Sequence, residues 1–361
     1  MANNEKLVKA KELKNDEFYT EYSTIANEIG HYRDKFKGKI VYCNCDDPSW
    51  SNFWKYFHNN FSSLGLKKLI CTHYQKDSNP SYKIEYLGGN DFDMDDGIVS
   101  EIVSSTVNRC GCEVFYSAGD FRSDDCISLL KEADIVVTNP PFSLFREYLA
   151  QLIEYDKKFI IIGNQNASHN KEIFPLFKEN KVWYGASLHS GGVDFRMPDD
   201  LDSYSDNVFI KDDGHHYINL AGIRWFTNLD VKYRHEGLWH KNGAFDQTQA
   251  HAYYEGSEDK YPKYDNFDGI DVDSSLTHAV PIDYDGYMGV PITILDRFNP
   301  EELELVGIGS GTMGASIGIT KNYRGRTDLA YTDERNQKKC PFSRVIIRNR
   351  NPIKKALDKG Y

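Results

Sequence analysis

The chain has no apolar run that approaches a membrane span or the hydrophobic stretch of a secretory leader. That excludes a helical membrane protein and sets the expectation of a cytoplasmic one. Its seven cysteines are an odd number, which does not suit the disulfide framework of a small secreted domain. The close pairs Cys43-x-Cys45 and Cys110-x-Cys112 lack the spacing of a zinc knuckle. At alternate strand positions they read as small buried side chains, and no metal is expected. Asn90 to Gly97 looks like a calcium loop, but with Asp91 as first ligand the sixth position is Asp96 instead of glycine and the twelfth is Ile102 instead of glutamate. It reads as an acidic hairpin. A nuclease's set of metal-binding carboxylates near a lysine is missing as well. What is plentiful is aromatic: 14% of 361 residues, enough for a sizeable core in one large domain or two moderate ones.

Positive charge is also scarce, with a net charge of −11 that argues against a nucleic-acid partner until it is divided along the chain. Residues 321–361 hold 12 Lys+Arg against 4 Asp+Glu, a net of +8, which leaves −19 on the preceding 320. Lys321, Arg324, Arg326, Arg335, Lys338, Lys339, Arg344, Arg348 and Arg350 interleave there with Tyr323, Tyr331 and Phe342. Such a mixture suits a surface that meets phosphates and bases. A solvated basic tail is the plain alternative, and against it Val345-Ile346-Ile347 reads as a buried strand. Arg324, Arg326, Arg344 and Arg348 are the candidate DNA contacts.

Hydrophobic periodicity gives the frame. A helix-like run follows Asp16-Glu17-Phe18-Tyr19-Thr20 and ends near Gly38. Lys39 to Cys43 reads as a strand, Phe53 to Leu64 as a helix stopped by Gly65, and Lys67 to Tyr74 as a second strand. Val114 to Tyr116 is a third, Ile127 to Lys131 a short helix, Ile135 to Thr138 a fourth strand, and Leu144 to Tyr155 another helix. Lys158 to Gly163 makes a fifth strand, buried on both faces. Strands alternating with helices predict an α/β fold, a doubly wound and mainly parallel sheet. Right-handed crossovers then bring the C-terminal strand ends to one edge. The Cys45-Asp46-Asp47 turn, Asp120, Asn139 and Asn164 fall there. Residues 78–113 form an insertion, and from about Trp225 the pattern becomes irregular. The expected domains are 1–230 and 231–361.

The most informative stretch is Asn139-Pro140-Pro141-Phe142 at the end of the fourth strand. Each proline fixes φ and lacks an N–H, and both restrict the preceding residue, so the carbonyls must point outward. An amide beside such a carbonyl aims two acceptors at one spot. They suit the two N–H bonds of an exocyclic amine on a nucleobase, and Phe142 offers a face for the ring to stack on. A proline-terminated strand edge in any α/β protein is the bland reading.

Asn-Pro-Pro-Phe resembles the catalytic motif of amino-group DNA methyltransferases that use S-adenosylmethionine. Gly119-Asp120-Phe121 resembles their motif whose carboxylate takes the cofactor's adenine amine, and Asp16 to Thr20 resembles their N-terminal cofactor motif. The usual glycine-rich turn is replaced by Tyr42-Cys43-Asn44-Cys45-Asp46-Asp47-Pro48. Asn, Asp and Pro still permit the bend, and carboxylates suit a cofactor that bears an ammonium and a sulfonium. No acidic residue ends Leu69 to Tyr74, which leaves the ribose contact open. Together with Thr138 to Tyr148, Ile161 to Ala167, Arg224 to Leu229 and Met288 to Pro300, these stretches resemble the adenine-specific modification methylases of the EcoRI type, from about residue 11 to 350.

The resemblance implies a methyltransferase sheet followed by an irregular C-terminal DNA-recognition region. It also implies N6-adenine methylation of double-stranded DNA within a short sequence, GAATTC as a guess, after base flipping. The implied catalytic residues are Asn139, Pro140, Pro141 and Phe142. Cofactor contacts fall to Phe18, Tyr19, Thr20, Asn44, Cys45, Asp46, Asp47, Asp120 and Phe121, and Trp225 or Phe226 would close the target base's other face. A monomer, with any cognate restriction endonuclease acting separately, fits this picture. Two alternatives stay open: an amino methyltransferase acting on RNA or on a protein glutamine, and a non-catalytic DNA-binding protein that kept the fold.

Overall fold

The computed structural model describes residues 19–46, 51–72, 74, 81–88, 113–115, 119–189, 191–197, 207–241, 244–245, 253, 261–272 and 279–353. The chain divides into two compact units, Met1–Ala167 with Gly185–Leu229 and Ser168–Tyr184 with Asp230–Tyr361. Among the described residues no helix is long and apolar enough to cross a membrane.

The first unit holds, in chain order, β1 (Tyr19–Thr20), β2 (Ile40–Cys43), β3 (Lys68–Thr72), β4 (Ser81–Tyr86), β5 (Glu113–Phe115), β6 (Ile135–Thr138), β7 (Lys158–Asn164), β8 (Gly192–Arg196), β9 (Val208–Ile210), β10 (His216–Ala221) and β11 (Ile223–Thr227). Seven of these form a sheet in the order β5-β4-β3-β2-β6-β7-β11. Its centre, β3-β2-β6-β7, is parallel. The side chains of β2 and β6 are buried throughout, as a parallel core covered on both faces requires. The flanks differ from expectation, because β4 runs antiparallel to both β3 and β5, and β11 runs antiparallel to β7. β4 comes from the stretch read as an insertion, so that stretch adds a strand inside the sheet. The calcium-like loop and the Cys110 and Cys112 pair lie outside the described residues.

The helices follow their apolar spacing. α1 (Tyr22–Gly30) stops earlier than predicted and gives way to a short 3-10 turn, Arg33–Lys35. The helix expected over Phe53 to Leu64 is two, α2 (Asn52–Asn59) and α3 (Phe61–Leu64), broken at Asn60. α4 (Asp124–Glu132) is capped by Ser123, whose hydroxyl accepts from the Cys126 N–H at 3.3 Å, with Asp124 and Asp125 at its positive end. α5 (Phe145–Glu154) buries Phe145, Tyr148, Leu149 and Leu152, one stripe of a 3.6-residue period. Gly163 of β7 makes room for that stripe, since a Cβ there would lie 2.4 Å from the Phe145 ring.

A second, antiparallel sheet in the order β1-β8-β10-β9 belongs to the same unit. Glu28 of α1 is fully buried beneath the segment that leads into β8. Its carboxylate accepts from Tyr32 Oη at 2.9 Å, the Ala186 N–H at 2.9 Å, the Ser187 N–H at 2.8 Å and Ser187 Oγ at 2.5 Å. Burial pushes this carboxyl up while the four donors pull it down.

The second unit, read from sequence as irregular, also contains a sheet: β12 (Gly269–Asp271), β13 (Tyr287–Val290), β14 (Leu303–Ile308) and β15 (Val345–Asn349), in the order β12-β13-β15-β14. Val345, Ile346 and Ile347 are buried in β15, so the basic stretch is anchored and is not a tail.

Glu28→Ala leaves four buried donors facing a cavity and should cost about 3 kcal/mol or more of stability. Glu28→Gln, which keeps the shape and one acceptor, should cost less. Urea denaturation of both variants measures the difference.

Candidate active site

Two strand ends meet at the outer edge of the parallel core. β2 runs into Asn44, Cys45 and Asp46, while β6 runs into Asn139. Cys45 takes the left-handed backbone conformation, φ +68°, the place a glycine fills in a glycine-rich turn. A non-glycine residue there costs on the order of 1 kcal/mol and persists only where its neighbours fix it.

The neighbours fix it through hydroxyls. Thr138, the last residue of β6, is fully buried. Its hydroxyl contacts both the Asn44 carbonyl and Asp46 Oδ2, the latter at 2.5 Å. Ser51 Oγ donates to Asp46 Oδ1 at 3.0 Å and also accepts from the Phe53 and Trp54 N–H groups as the cap of α2. Thr72 Oγ1 donates to Asn44 Oδ1 at 3.2 Å and lies 3.1 Å from Tyr42 Oη, and the Cys71 thiol donates to the Asp46 carbonyl. The turn is therefore held by residues from β2, β3, β6 and α2. None of Thr138, Ser51 or Thr72 is among the site residues expected from the sequence.

Two other buried hydroxyls border this edge. Thr20 Oγ1 and Tyr148 Oη have no hydrogen-bond partner among the described residues. Tyr148 is enclosed near Cys45, Asp46 and Cys126, and burial, reinforced by those groups, pushes its phenol well above the ordinary range. Burial likewise pushes the Cys43 and Cys45 thiols well up, so neither is a ready thiolate. The Thr20 carbonyl accepts from Asn52 Nδ2 at 2.8 Å, tying β1 to α2. Phe18 and Asp47 lie outside the described residues.

Asp120 is chelated. Arg122 donates to its Oδ1 from Nε at 2.8 Å and to its Oδ2 from Nη2 at 2.6 Å, and the Arg122 N–H adds a bond to Oδ1 at 2.9 Å. Arg122 holds the carboxyl below its usual range and also reaches Glu147 at 3.5 Å. Phe121 is buried edge-on to Tyr148 at 5.0 Å. Asn164 is spent on its own turn, accepting from the Asn166 N–H at 2.9 Å.

The ledge has the form its prolines dictate. The Pro141 carbonyl accepts from the Leu144 N–H at 2.9 Å, opening a 3-10 turn over Phe142–Leu144. The Pro140 carbonyl accepts from no donor among the described residues. Phe142 is half-buried, 6.3 Å and edge-on from Phe195 of β8, and Phe195 faces Thr20 across the register.

Two expectations are corrected. Trp225 and Phe226 are 0% exposed. Trp225 packs edge-on to Phe53 at 6.1 Å and Phe226 to Phe145 at 4.8 Å, so they are core residues with no face to offer a base. Arg344 is 5% exposed and ion-paired to Asp271 at 3.0 Å inside the second unit, where it meets no phosphate. Arg348 is exposed but paired with Glu304 at 2.7 Å. Arg324 and Arg326 are exposed, with no acidic partner among the described residues.

A parallel α/β core that carries Asn-Pro-Pro-Phe at the outer end of a central strand, beside an acidic turn, is the arrangement of an amino-group methyltransferase. Residues 6–350 match the family described as adenine-specific methyltransferase EcoRI. The chain is 43% identical over 360 residues to the Type II methyltransferase M.EcoRI of Escherichia coli, covering 97% of this chain and 98% of that one. It is 36% identical over 348 residues to the Type II methyltransferase M.MpnI of Mycoplasma pneumoniae, covering 96% and 98%. It is also 36% identical over 301 residues to the Type II methyltransferase M.MgeORF184P of Mycoplasma genitalium, covering 82% and 84%. The chain belongs to the EcoRI family of adenine-specific methyltransferases.

Thr138→Val keeps the shape of the strand end and deletes the hydroxyl that joins it to Asp46. Cofactor affinity should fall roughly 10-fold, and stability should drop by about 1–3 kcal/mol because two buried acceptors lose their donor; isothermal titration reads the first and calorimetry the second. Arg344→Met, by contrast, leaves Asp271 buried without its cation and should lower stability by about 3 kcal/mol. The salt dependence of DNA binding should stay as it was.

Proposed function

We propose that this chain transfers the methyl group of S-adenosylmethionine to N6 of an adenine flipped out of double-stranded DNA within a short specific sequence. The ledge carries the reading: Asn139 and the untaken Pro140 carbonyl stand together at the end of β6. Bound here, S-adenosylmethionine would supply an electrophilic methyl group on a sulfonium.

The residues present fit that cofactor. Asp46 supplies negative charge for an ammonium or sulfonium, and Asn44 and Cys45 shape the turn that receives it. Thr20 Oγ1 and Tyr148 Oη are buried polar atoms of the same edge that lack partners among the described residues. Tyr19 and Thr20 extend the site along β1; Phe18 precedes them in the sequence and Asp47 follows Asp46. Asp120 would accept from the adenine amine of the cofactor, with Phe121 fixing its loop. Arg122 then has to yield one carboxylate oxygen, and Glu147 stands ready as its second partner.

At the ledge, Asn139 Oδ1 and the Pro140 carbonyl accept hydrogen bonds from the two N6–H groups and leave the nitrogen lone pair directed away from them. Phe142 stacks on the purine, and Pro141 keeps the backbone from folding over the acceptors. Catalysis is mostly positioning, with no covalent enzyme intermediate. A base in a duplex cannot reach the ledge, so flipping is required, at roughly a few kcal/mol. Arg324 and Arg326 meet phosphates. The enzyme acts as a monomer, GAATTC is the family-based guess for its site, and a cognate endonuclease would work separately.

Asn139→Ala should abolish methyl transfer while cofactor and DNA binding persist; parallel loss of cofactor binding would remove Asn139 from the chemistry. Sequencing of modified bases in DNA from cells that express the chain should show N6-methyladenine at one short motif. Unmodified DNA would refute the substrate.

A further inference from the structure

In a chain of net charge −11, the second unit gathers cations that no described carboxylate pairs with. Lys321, Arg324, Arg326, Arg335 and Lys338 are exposed and have no acidic partner among the described residues. Arg344 and Arg348, close by in sequence, are each matched to a carboxylate. The loop that carries the free cations is built tightly: Asn322 Oδ1 accepts from the Arg324 N–H at 2.8 Å and the Arg326 N–H at 3.3 Å, and the Asn322 N–H closes onto the Arg326 carbonyl at 2.8 Å. A two-stranded ribbon, Tyr331–Thr332 with Lys338–Lys339, lies against it. Tyr323 Oη donates to the Lys338 carbonyl at 3.2 Å, and the Arg324 and Lys338 cations stand 5.2 Å and 5.5 Å from the Tyr323 ring.

From this cationic surface one aromatic ring projects. Tyr323 is 44% exposed, whereas Phe342 is 92% exposed, more than any other large apolar side chain described. Its mount is rigid. Pro341 fixes the backbone before it, and Asn322 Nδ2 meets the Cys340 sulfur at 3.6 Å. After it, Ser343 Oγ bonds Ser310 Oγ at 2.9 Å, the Arg344 carbonyl accepts from the Gly309 N–H at 2.7 Å, and the buried Arg344 pair with Asp271 leads into β15. A loose loop would let such a ring fold back onto apolar surface; this one is held out in water.

An exposed ring held rigidly among uncompensated cations is matched by a polyanion with stacked aromatic faces. We infer that Phe342 is a wedge that enters the base stack of duplex DNA while Lys321, Arg324, Arg326 and Lys338 hold the flanking phosphates. The inference rests on the DNA reading above and adds a contact that the sequence resemblance does not assign. Partial unstacking of a step also favours bending of the duplex, which brings more protein surface to it.

The test uses the full chain and a duplex of about 30 base pairs that contains the sequence found methylated in cells, long enough to span a bent site. Phe342→Ala should bind it about 10-fold more weakly, the scale of one lost aromatic stack. Its salt slope should match the wild type, whereas Arg324→Ala with Arg326→Ala should flatten that slope. Phe342→Trp should keep affinity, and its extra indole emission, measured against the wild type, should be quenched by duplex. Equal affinity for Phe342→Ala and wild type, or an indole unchanged at saturating duplex, would overturn the inference while leaving the methyltransferase reading intact. A wild-type chain that binds no duplex at any salt would sink both.

Discussion

A single buried hydroxyl, Thr138 Oγ1, joins the two halves of the site. It sits between the Asn44 carbonyl and the Asp46 carboxylate, one residue before Asn139. The consequence is geometric: the acidic turn and the proline ledge, which the proposed function assigns to cofactor and base, cannot shift independently. Direct transfer between two bound groups depends on their mutual placement, and misplacement by about 1 Å can cost 100-fold in rate. Pairing β2 with β6 in parallel register puts both strand ends at one level, and the hydroxyl then locks the remaining freedom.

The same lock accounts for a glycine-free turn. The left-handed conformation at Cys45 is unfavourable by itself, yet β3, β6 and the cap of α2 contribute hydrogen bonds to the residues on either side of it. Ser51 does two jobs at once, since it fixes Asp46 and begins α2. Strain at one residue is thus offset by bonds that also define the site, which is the usual circumstance in which such strain persists. Asp120 is treated differently, because its charge is held by a half-exposed arginine that has a second carboxylate within reach.

The sequence made the parallel centre legible because β2, β6 and β7 are continuous apolar runs, and it made the ledge legible because two adjacent prolines admit few backbone paths. It did not reveal β4, whose place inside the sheet depends on pairing with both β3 and β5. Nor did it separate Trp225 and Phe226 from a base-stacking role, since an aromatic pair reads alike in a core and at a site until its neighbours Phe53 and Phe145 are placed. Arg344 misled for a similar reason: charge counting treats every cation as available, and its partner Asp271 is 73 residues away. The roles of Thr138, Ser51 and Thr72 are not legible in sequence, because a hydroxyl's importance lies in what it faces.

Gly163 sets the distance at which α5 lies on the sheet, because the Phe145 ring rests where a methyl group would stand. Phe145 directly follows the short turn that carries Phe142. The height of the ledge above the sheet edge is therefore governed by the sum of two side-chain volumes, one on β7 and one on α5. Descendants of this chain are free to exchange bulk between positions 145 and 163 and scarcely free to change either alone, so the two should drift through evolution as a coupled pair.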